Sequence, residues 1–184
     1  MKKTLYFWFT GLSSSGKSSV AQGVKQRLEE NDVEVVIVDG DDVRSRHNRH
    51  LGFSAEDIKE NNRIIGDICK EKMGQSDVVF VSIISPFREC REYARELLEP
   101  NFSEVFFNAS LEVVKKRDVK GLYAKAQRNE IKDLIGFSSG VVYEIPKNPD
   151  FIVNSGESAL EESIEDLLGF VIKRLKESGF RMSE

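Results

Sequence analysis

Gly11, Gly16, Lys17 and Ser18 are spaced as G-x-x-x-x-G-K-S, with Ser13, Ser14 and Ser15 inside the loop and Ser19 just past it. A polyphosphate carries several negative charges and needs many donors at close approach. Glycines let backbone N–H groups reach it, and a following helix adds the positive end of its dipole. In this pattern the lysine reaches the terminal phosphates and the next hydroxyl holds Mg²⁺, which assigns those roles to Lys17 and Ser18. A glycine-serine turn can match so short a pattern by chance. The flanks favour the functional reading, because the apolar run Thr4–Phe9 reads as a strand and Ser18–Leu28 reads as a helix. The segment is expected to bind a nucleoside triphosphate.

A second set of chemically capable residues, Asp39-Gly40-Asp41-Asp42, follows the β-branched run Val33–Val38. Asp and Gly are common in solvated turns. Beside a phosphate loop, however, a carboxylate can orient an acceptor hydroxyl and help position the metal. Phosphoryl transfer depends chiefly on positioning and charge compensation, so one acid, one lysine and Mg²⁺ suffice. No N-K-x-D segment for guanine is present, and the third apolar run ends in Ser82 and Ser85 rather than in an acid. These features suit a kinase of a small molecule better than a switch GTPase or a motor-type ATPase.

Positioning these groups requires a scaffold. Asp77–Ile84, Glu104–Phe107 and Phe151–Val153 read as further strands, and Ser54-Ala-Glu-Asp57 as a helix start ahead of Ile58, Ile64, Ile65, Ile68 and Cys69 on one face. A helix is expected from Arg88 to Glu99. Another follows the capping box Ser158-x-x-Glu161, with Leu160, Ile164, Leu167, Leu168, Val171 and Leu175 at helical steps. Strands alternating with helices imply right-handed crossovers and a five-stranded parallel sheet covered on both faces, an α/β architecture whose ligands sit at the carboxyl ends of the strands. The Gly11 loop, the Asp39–Asp41 turn and Ser85 should meet there. The 184 residues suit one domain spanning 1–184.

The composition sets limits. About a third of the residues are charged and the longest apolar runs are short, so neither a disordered nor a membrane-spanning chain is expected, and the location is read as cytoplasmic. The net charge of −4 argues against a broad nucleic-acid surface, which needs clustered Lys and Arg. Cys69 and Cys90 have no metal or disulfide spacing and are read as reduced, buried thiols.

Over almost its whole length the chain resembles the adenylyl-sulfate kinases, members of the P-loop NTPase/kinase fold. The resemblance is carried by F-T-G-L-S-S-S-G-K-S-S at Phe9–Ser19, D-G-D-D-V-R at Asp39–Arg44, L-G-F-S at Leu51–Ser54 and E-N-N-R at Glu60–Arg63. It continues through S-I-I-S-P-F-R at Ser82–Arg88, K-R-D-V-K-G-L-Y at Lys116–Tyr123 and Y-E-I-P-K-N-P at Tyr143–Pro149. It implies transfer of the γ-phosphate of MgATP to the ribose 3′-hydroxyl of adenylyl sulfate. It makes Asp41 the acid beside the acceptor hydroxyl and a metal-positioning group, Arg44 an anchor for the substrate's anionic part, and Phe53 the aromatic that stacks on its base. Asn61 and the Ile84-Ser85 backbone would line the same pocket, with Ser85 positioning substrate rather than carrying a phosphoserine. Residues 117–140 resemble the family's lid, with Arg117 near the ATP base and Lys120 reaching substrate phosphate. Relatives are often homodimers, so a homodimer is a family-level expectation.

The chain departs from the family pattern in the acceptor pocket. Ile58 stands where the family has an arginine, Leu134 where it has a second base-stacking phenylalanine, and Leu134–Glu144 is longer than its counterpart. Asp42 and His50 also depart from the usual residues. Two outcomes are open: Arg46, Arg49 or Phe137 restores the lost contacts to adenylyl sulfate, or the acceptor is a smaller pyrimidine nucleotide such as cytidine diphosphoramidate. A non-catalytic nucleotide-binding protein is a third reading, disfavoured because Lys17, Ser18 and Asp41 are all present.

Overall fold

The computed structural model describes residues 3–46, 48–138, 140 and 142–180. Alternating apolar residues in the first strand decide the architecture. In β1 (Leu5–Thr10), Leu5, Phe7 and Phe9 enter one core while Tyr6 and Trp8 enter another. A strand buried on both faces needs a layer on each side. The first layer is α1 (Lys17–Glu29) and α7 (Leu160–Glu177), which meet β1 through Val20, Val24, Leu28, Leu167 and Val171. The second is α3 (Ala55–Glu71) and α4 (Arg88–Leu98), which contribute Ile65, Cys69, Ala94 and Leu98.

The remaining strands are β2 (Val35–Asp39), β3 (Val78–Ser82), β4 (Phe102–Phe107) and β5 (Phe151–Val153). All pairings are parallel, in the order β2-β3-β1-β4-β5. The expected five-stranded parallel sheet between helical layers is therefore present. Because β1 lies between β3 and β4, its carboxyl end opens a crevice flanked by the ends of β2 and β3. No helix among the described residues is long and apolar enough to cross a membrane.

Three short helices were not expected. The acidic turn is the first turn of α2 (Gly40–Arg46), where Asp39 Oδ1 accepts the backbone N–H groups of Asp41 at 2.9 Å and Asp42 at 3.4 Å. An aspartate cap, acids in the first turn and arginines in the last are helix signals, outweighed in the sequence reading by turn propensity. α6 (Leu122–Gln127) lies inside the lid segment expected at 117–140, and α5 (Leu111–Arg117) leads into it. The helix cap of α7 also differs from the Ser158-x-x-Glu161 box. Ala159 is the capping residue, its N–H donates to the Glu162 carboxylate at 2.9 Å, and no side-chain oxygen caps the helix.

Candidate active site

The phosphate loop connects β1 to α1, and steric constraints explain its glycines. A Cβ on Gly11 would lie 2.9 Å from the Phe107 carbonyl oxygen, so the loop can run against β4 only without a side chain. Gly16 caps α1 with φ +97°, a conformation that favours glycine. Lys17 starts α1 and turns back into the loop, where its Nζ donates to Gly11 O at 2.9 Å, Leu12 O at 2.7 Å and Ser15 Oγ at 3.2 Å. Burial pulls its pKa down to about 7, with Lys120 adding to the shift and Asp39 and Asp41 opposing it. An ammonium that is desolvated, next to a second cation and held by neutral acceptors is short of negative charge. Ser14 Oγ is buried without a partner in the same loop. The chemistry of this nest therefore fits an anionic phosphate chain.

A cavity of about 720 Å³ opens over the loop. Ser13, Ser14, Ser15, Gly16, Lys17, Ser18 and Ser19 line it from below, and Asp41 and Arg44 of α2 from one side. Phe53, Asn61 of α3, Ile84, Ser85, Arg117, Lys120 and Leu134 complete its wall. Of the residues given a nucleotide, metal or substrate role from the sequence, Gly11 alone lies outside the lining, because it packs under the loop against β4.

The individual geometries assign the groups. Asp41 is solvent-facing and ion-paired with Lys120. Ser18 Oγ is 3.2 Å from Ser82 Oγ at the end of β3. Arg44 Nη1 donates to Leu51 O at 3.0 Å and Gly52 O at 2.6 Å, and its guanidinium carbon sits 4.6 Å from the centre of the Phe53 ring. Phe53 is 58% exposed, so it is a platform at the cavity and not a core residue. Asn61 accepts from Asn48 Nδ2 at 3.0 Å. Arg117 Nη2 donates to Ser155 O at 2.6 Å, which brings the end of α5 onto the loop after β5.

Ser85 is buried with φ +43°, and its hydroxyl accepts from Trp8 Nε1 at 3.0 Å. The segment after α5 is held by its own acid: Asp118 accepts the N–H groups of Tyr123 at 3.0 Å and Ala124 at 2.9 Å. Tyr123 OH in turn donates to Ser13 O at 3.1 Å, tying α6 to the phosphate loop.

Residues 3–154 match the Adenylylsulphate kinase family. The chain belongs to that family. It is 42% identical over 174 residues to the probable adenylyl-sulfate kinase of Bacillus subtilis, covering 94% of this chain and 87% of the relative. With the adenylyl-sulfate kinase of Geotalea daltonii it is 43% identical over 171 residues, covering 92% and 83%. It superposes on the Mycobacterium tuberculosis APS kinase solved in complex with AMPPNP and APS with a TM-score of 0.85 at 37% identity, covering 96% of this chain and 99% of that one. Shikimate kinase from Aquifex aeolicus shares the fold, at 18% identity and a TM-score of 0.54.

Within this family the departures acquire locations. Ile58 is 3% exposed and packs with Ile135, Ile84, Phe87 and Tyr143, forming an apolar wall where the family pattern has an arginine. Leu134 is buried with Val114, Tyr123 and Ala126. Arg46, Arg49 and Phe137, named as compensating residues, have other partners in this structure. Arg46 faces Asp42 at 3.7 Å, and Arg49 donates to the Ser45 carbonyl. Phe137 stands edge-on to Tyr123 under the Lys115 ammonium, and none of these three lines the cavity. Within the longer stretch Leu134–Glu144, Ser139 and Val141 lie outside the described residues.

Several cavity residues escaped the sequence reading. Asn62 is buried with an unpartnered Oδ1, and Ser155 and Ser163 have unpartnered buried hydroxyls. Asn62 stood in a recognised motif beside Asn61. The two serines carried no signal, because only the fold brings the start of α7 and the loop after β5 over α1.

Proposed function

We propose that this chain transfers the γ-phosphoryl group of ATP to the ribose 3′-hydroxyl of adenylyl sulfate, giving 3′-phosphoadenylyl sulfate and ADP. The observation that carries the reading is one cavity lined at once by Ser13–Ser19 of the phosphate loop, by Asp41 and by the Phe53–Arg44 platform. The relatives described above are adenylyl-sulfate kinases, which favours adenylyl sulfate over a cytidine acceptor.

In this reading the loop amides and Lys17 hold the β- and γ-phosphates, and the triphosphate favours the ammonium form of a lysine whose pKa burial lowers. Arg117 lies beside the ATP base. The base of adenylyl sulfate stacks on Phe53, and Arg44, held against that ring and the Leu51 and Gly52 carbonyls, anchors the substrate's anionic part. Asn61, Leu134 and the Ile84-Ser85 backbone shape the rest of the acceptor pocket. Asp41 accepts the hydrogen bond of the 3′-hydroxyl and aims it at the γ-phosphorus. Lys120 moves charge from Asp41 to the phosphoryl oxygens as substrate arrives. Residues 117–140 act as a lid, excluding the water that would otherwise take the phosphoryl group.

Mg²⁺ fits the donor set. Among the described residues no three His, Cys, Asp or Glu side chains cluster as a metal cage, and Mg²⁺ bound with a nucleotide takes most of its ligands from phosphates and water. Ser18 and Asp41 would hold it, and it would supply compensation for the charge on the transferring group.

The test is ADP release by the purified protein with MgATP, with adenylyl sulfate in one reaction and a cytidine diphosphate-linked acceptor in another. Release dependent on adenylyl sulfate is expected. ATP binding with no release in its presence would overturn the assignment.

A further inference from the structure

Arg91 is part of neither the phosphate loop nor the cavity lining, yet it is 2% exposed and each of its three guanidinium nitrogens has a close polar neighbour. Nη1 donates to Ser85 O at 2.7 Å, Nη2 donates to Glu144 O at 2.7 Å, and Nε lies 2.7 Å from Glu104 Oε1 of β4. Burying a cation is costly unless its donors are matched on all sides. Here they are matched by two backbone carbonyls from segments 59 residues apart, reckoned from positions 85 and 144.

The first carbonyl belongs to a strained part of the site, the second to the chain's return towards β5. Ser85 has φ +43°, uncommon for a residue with a side chain, and persists only if its surroundings hold it. Thr10 Oγ1 lies 3.0 Å from Ser85 O and 2.9 Å from Ile84 O, and Trp8 Nε1 takes the Ser85 hydroxyl. Glu144 is where the chain returns from residues 117–140. Its N–H donates to Pro86 O at 2.9 Å, its carboxylate accepts the Arg88 N–H at 2.7 Å, and Tyr143 OH is 2.8 Å from Thr10 Oγ1. One guanidinium thus joins the floor of the acceptor pocket to the root of the segment above it.

We propose that Arg91 is a positioning residue for the acceptor: its planar fork holds the Ile84-Ser85 backbone and the Glu144 return in register, so that the pocket floor and the covering segment keep one geometry. This rests on the reading of the cavity wall at Ile84 and Ser85 as the acceptor side. Lysine cannot replace the fork, because one ammonium cannot reach both carbonyls and Glu104 in the same plane.

The experiment compares Arg91→Lys and Arg91→Met with the unaltered chain. It measures KM for adenylyl sulfate, KM for ATP, kcat, thermal stability and the emission of Trp8, the chain's single tryptophan. We expect KM for adenylyl sulfate to rise about tenfold or more in both variants, a change of about 1.4 kcal/mol, with KM for ATP within twofold. Trp8 emission should shift as the Ser85 hydroxyl leaves the indole N–H. Should Arg91→Met not fold, Arg91→Lys decides alone. Equal rises in both KM values, or lost stability with both unchanged, would overturn the proposal and leave Arg91 a purely structural residue. If the unaltered chain does not turn over adenylyl sulfate, the functional reading fails by itself. Trp8 emission then decides the role of Arg91, a shift supporting the coupling to Ser85 and an unshifted spectrum overturning it.

Discussion

Lys120 and Asp41, 79 residues apart in the chain, form an ion pair at the cavity, the lysine between α5 and α6 reaching the acid in the first turn of α2. With Lys17 and Asp39 they make a set of two cations and two anions beside the phosphate loop, and Lys120 and both acids act on the Lys17 pKa. Both members of the pair are exposed, so their attraction is screened by water and adds little to stability. Lys120→Met should therefore leave the thermal midpoint unchanged while lowering turnover by about a hundredfold or more, as for loss of a donor to developing charge. A lower midpoint with unaltered turnover would instead make the pair structural.

Asp41→Asn keeps the shape of the side chain but removes the carboxylate that orients the acceptor hydroxyl. Turnover should fall by about 10²- to 10⁴-fold, and affinity for ATP without Mg²⁺ should stay within a few-fold because Lys17 and the loop amides are untouched. Direct titration of ATP alongside steady-state rates checks this. Comparable losses in both would move Asp41 from the acceptor to the nucleotide.

Phe53 tests the acceptor pocket at its outer wall. Base-aromatic stacking is worth roughly 1–3 kcal/mol, so Phe53→Ala should raise KM for adenylyl sulfate by about five- to 150-fold at unchanged KM for ATP. The ring is 58% exposed, and its removal leaves no core cavity, so the midpoint should hold. An unaffected KM would show that the base sits elsewhere.

The protein should be sensitive to alkali. Burial pushes the Cys69 thiol up to about 12 and the Cys90 thiol to about 11, and lifts the Tyr6 and Tyr123 phenols to about 12. In the unfolded chain these groups release protons from about pH 9 to 10, while the folded state keeps them neutral. Their contribution is therefore intact below pH 9 and is lost as pH rises towards 12, at about 1.4 kcal/mol per pH unit for each group released only on unfolding. Denaturant titrations at pH 8, 9 and 10 should show the decline. Flat stability across that range would mean that the thiols and phenols ionise in place.

The sequence by itself determined the succession of the five strands and the four long helices, the phosphate loop and the membership of a family, because these rest on local spacing: short apolar runs buried on both faces, a period near 3.6, and a loop whose glycines answer to sterics. It also picked out Asp41, Arg44, Phe53, Ser85, Arg117 and Lys120, which motifs mark whatever their distance in space. Only the tertiary structure decided what those residues do to one another. The helix α2 was hidden because Asp and Gly serve turns and caps alike, and the Asp39 hydrogen bonds settle which. The exposure of Phe53 beneath Arg44, the burial of Ile58 beside Ile135, and the failure of Arg46, Arg49 and Phe137 to reach the cavity were not legible, since each depends on which surface a distant segment covers. Arg91 is the sharpest case. In the sequence it is one of three arginines of α4, and it becomes a buried fork only when β4, Ser85 and Glu144 converge on it, because a long cation can be desolvated only where the fold sets acceptors and an opposite charge around it.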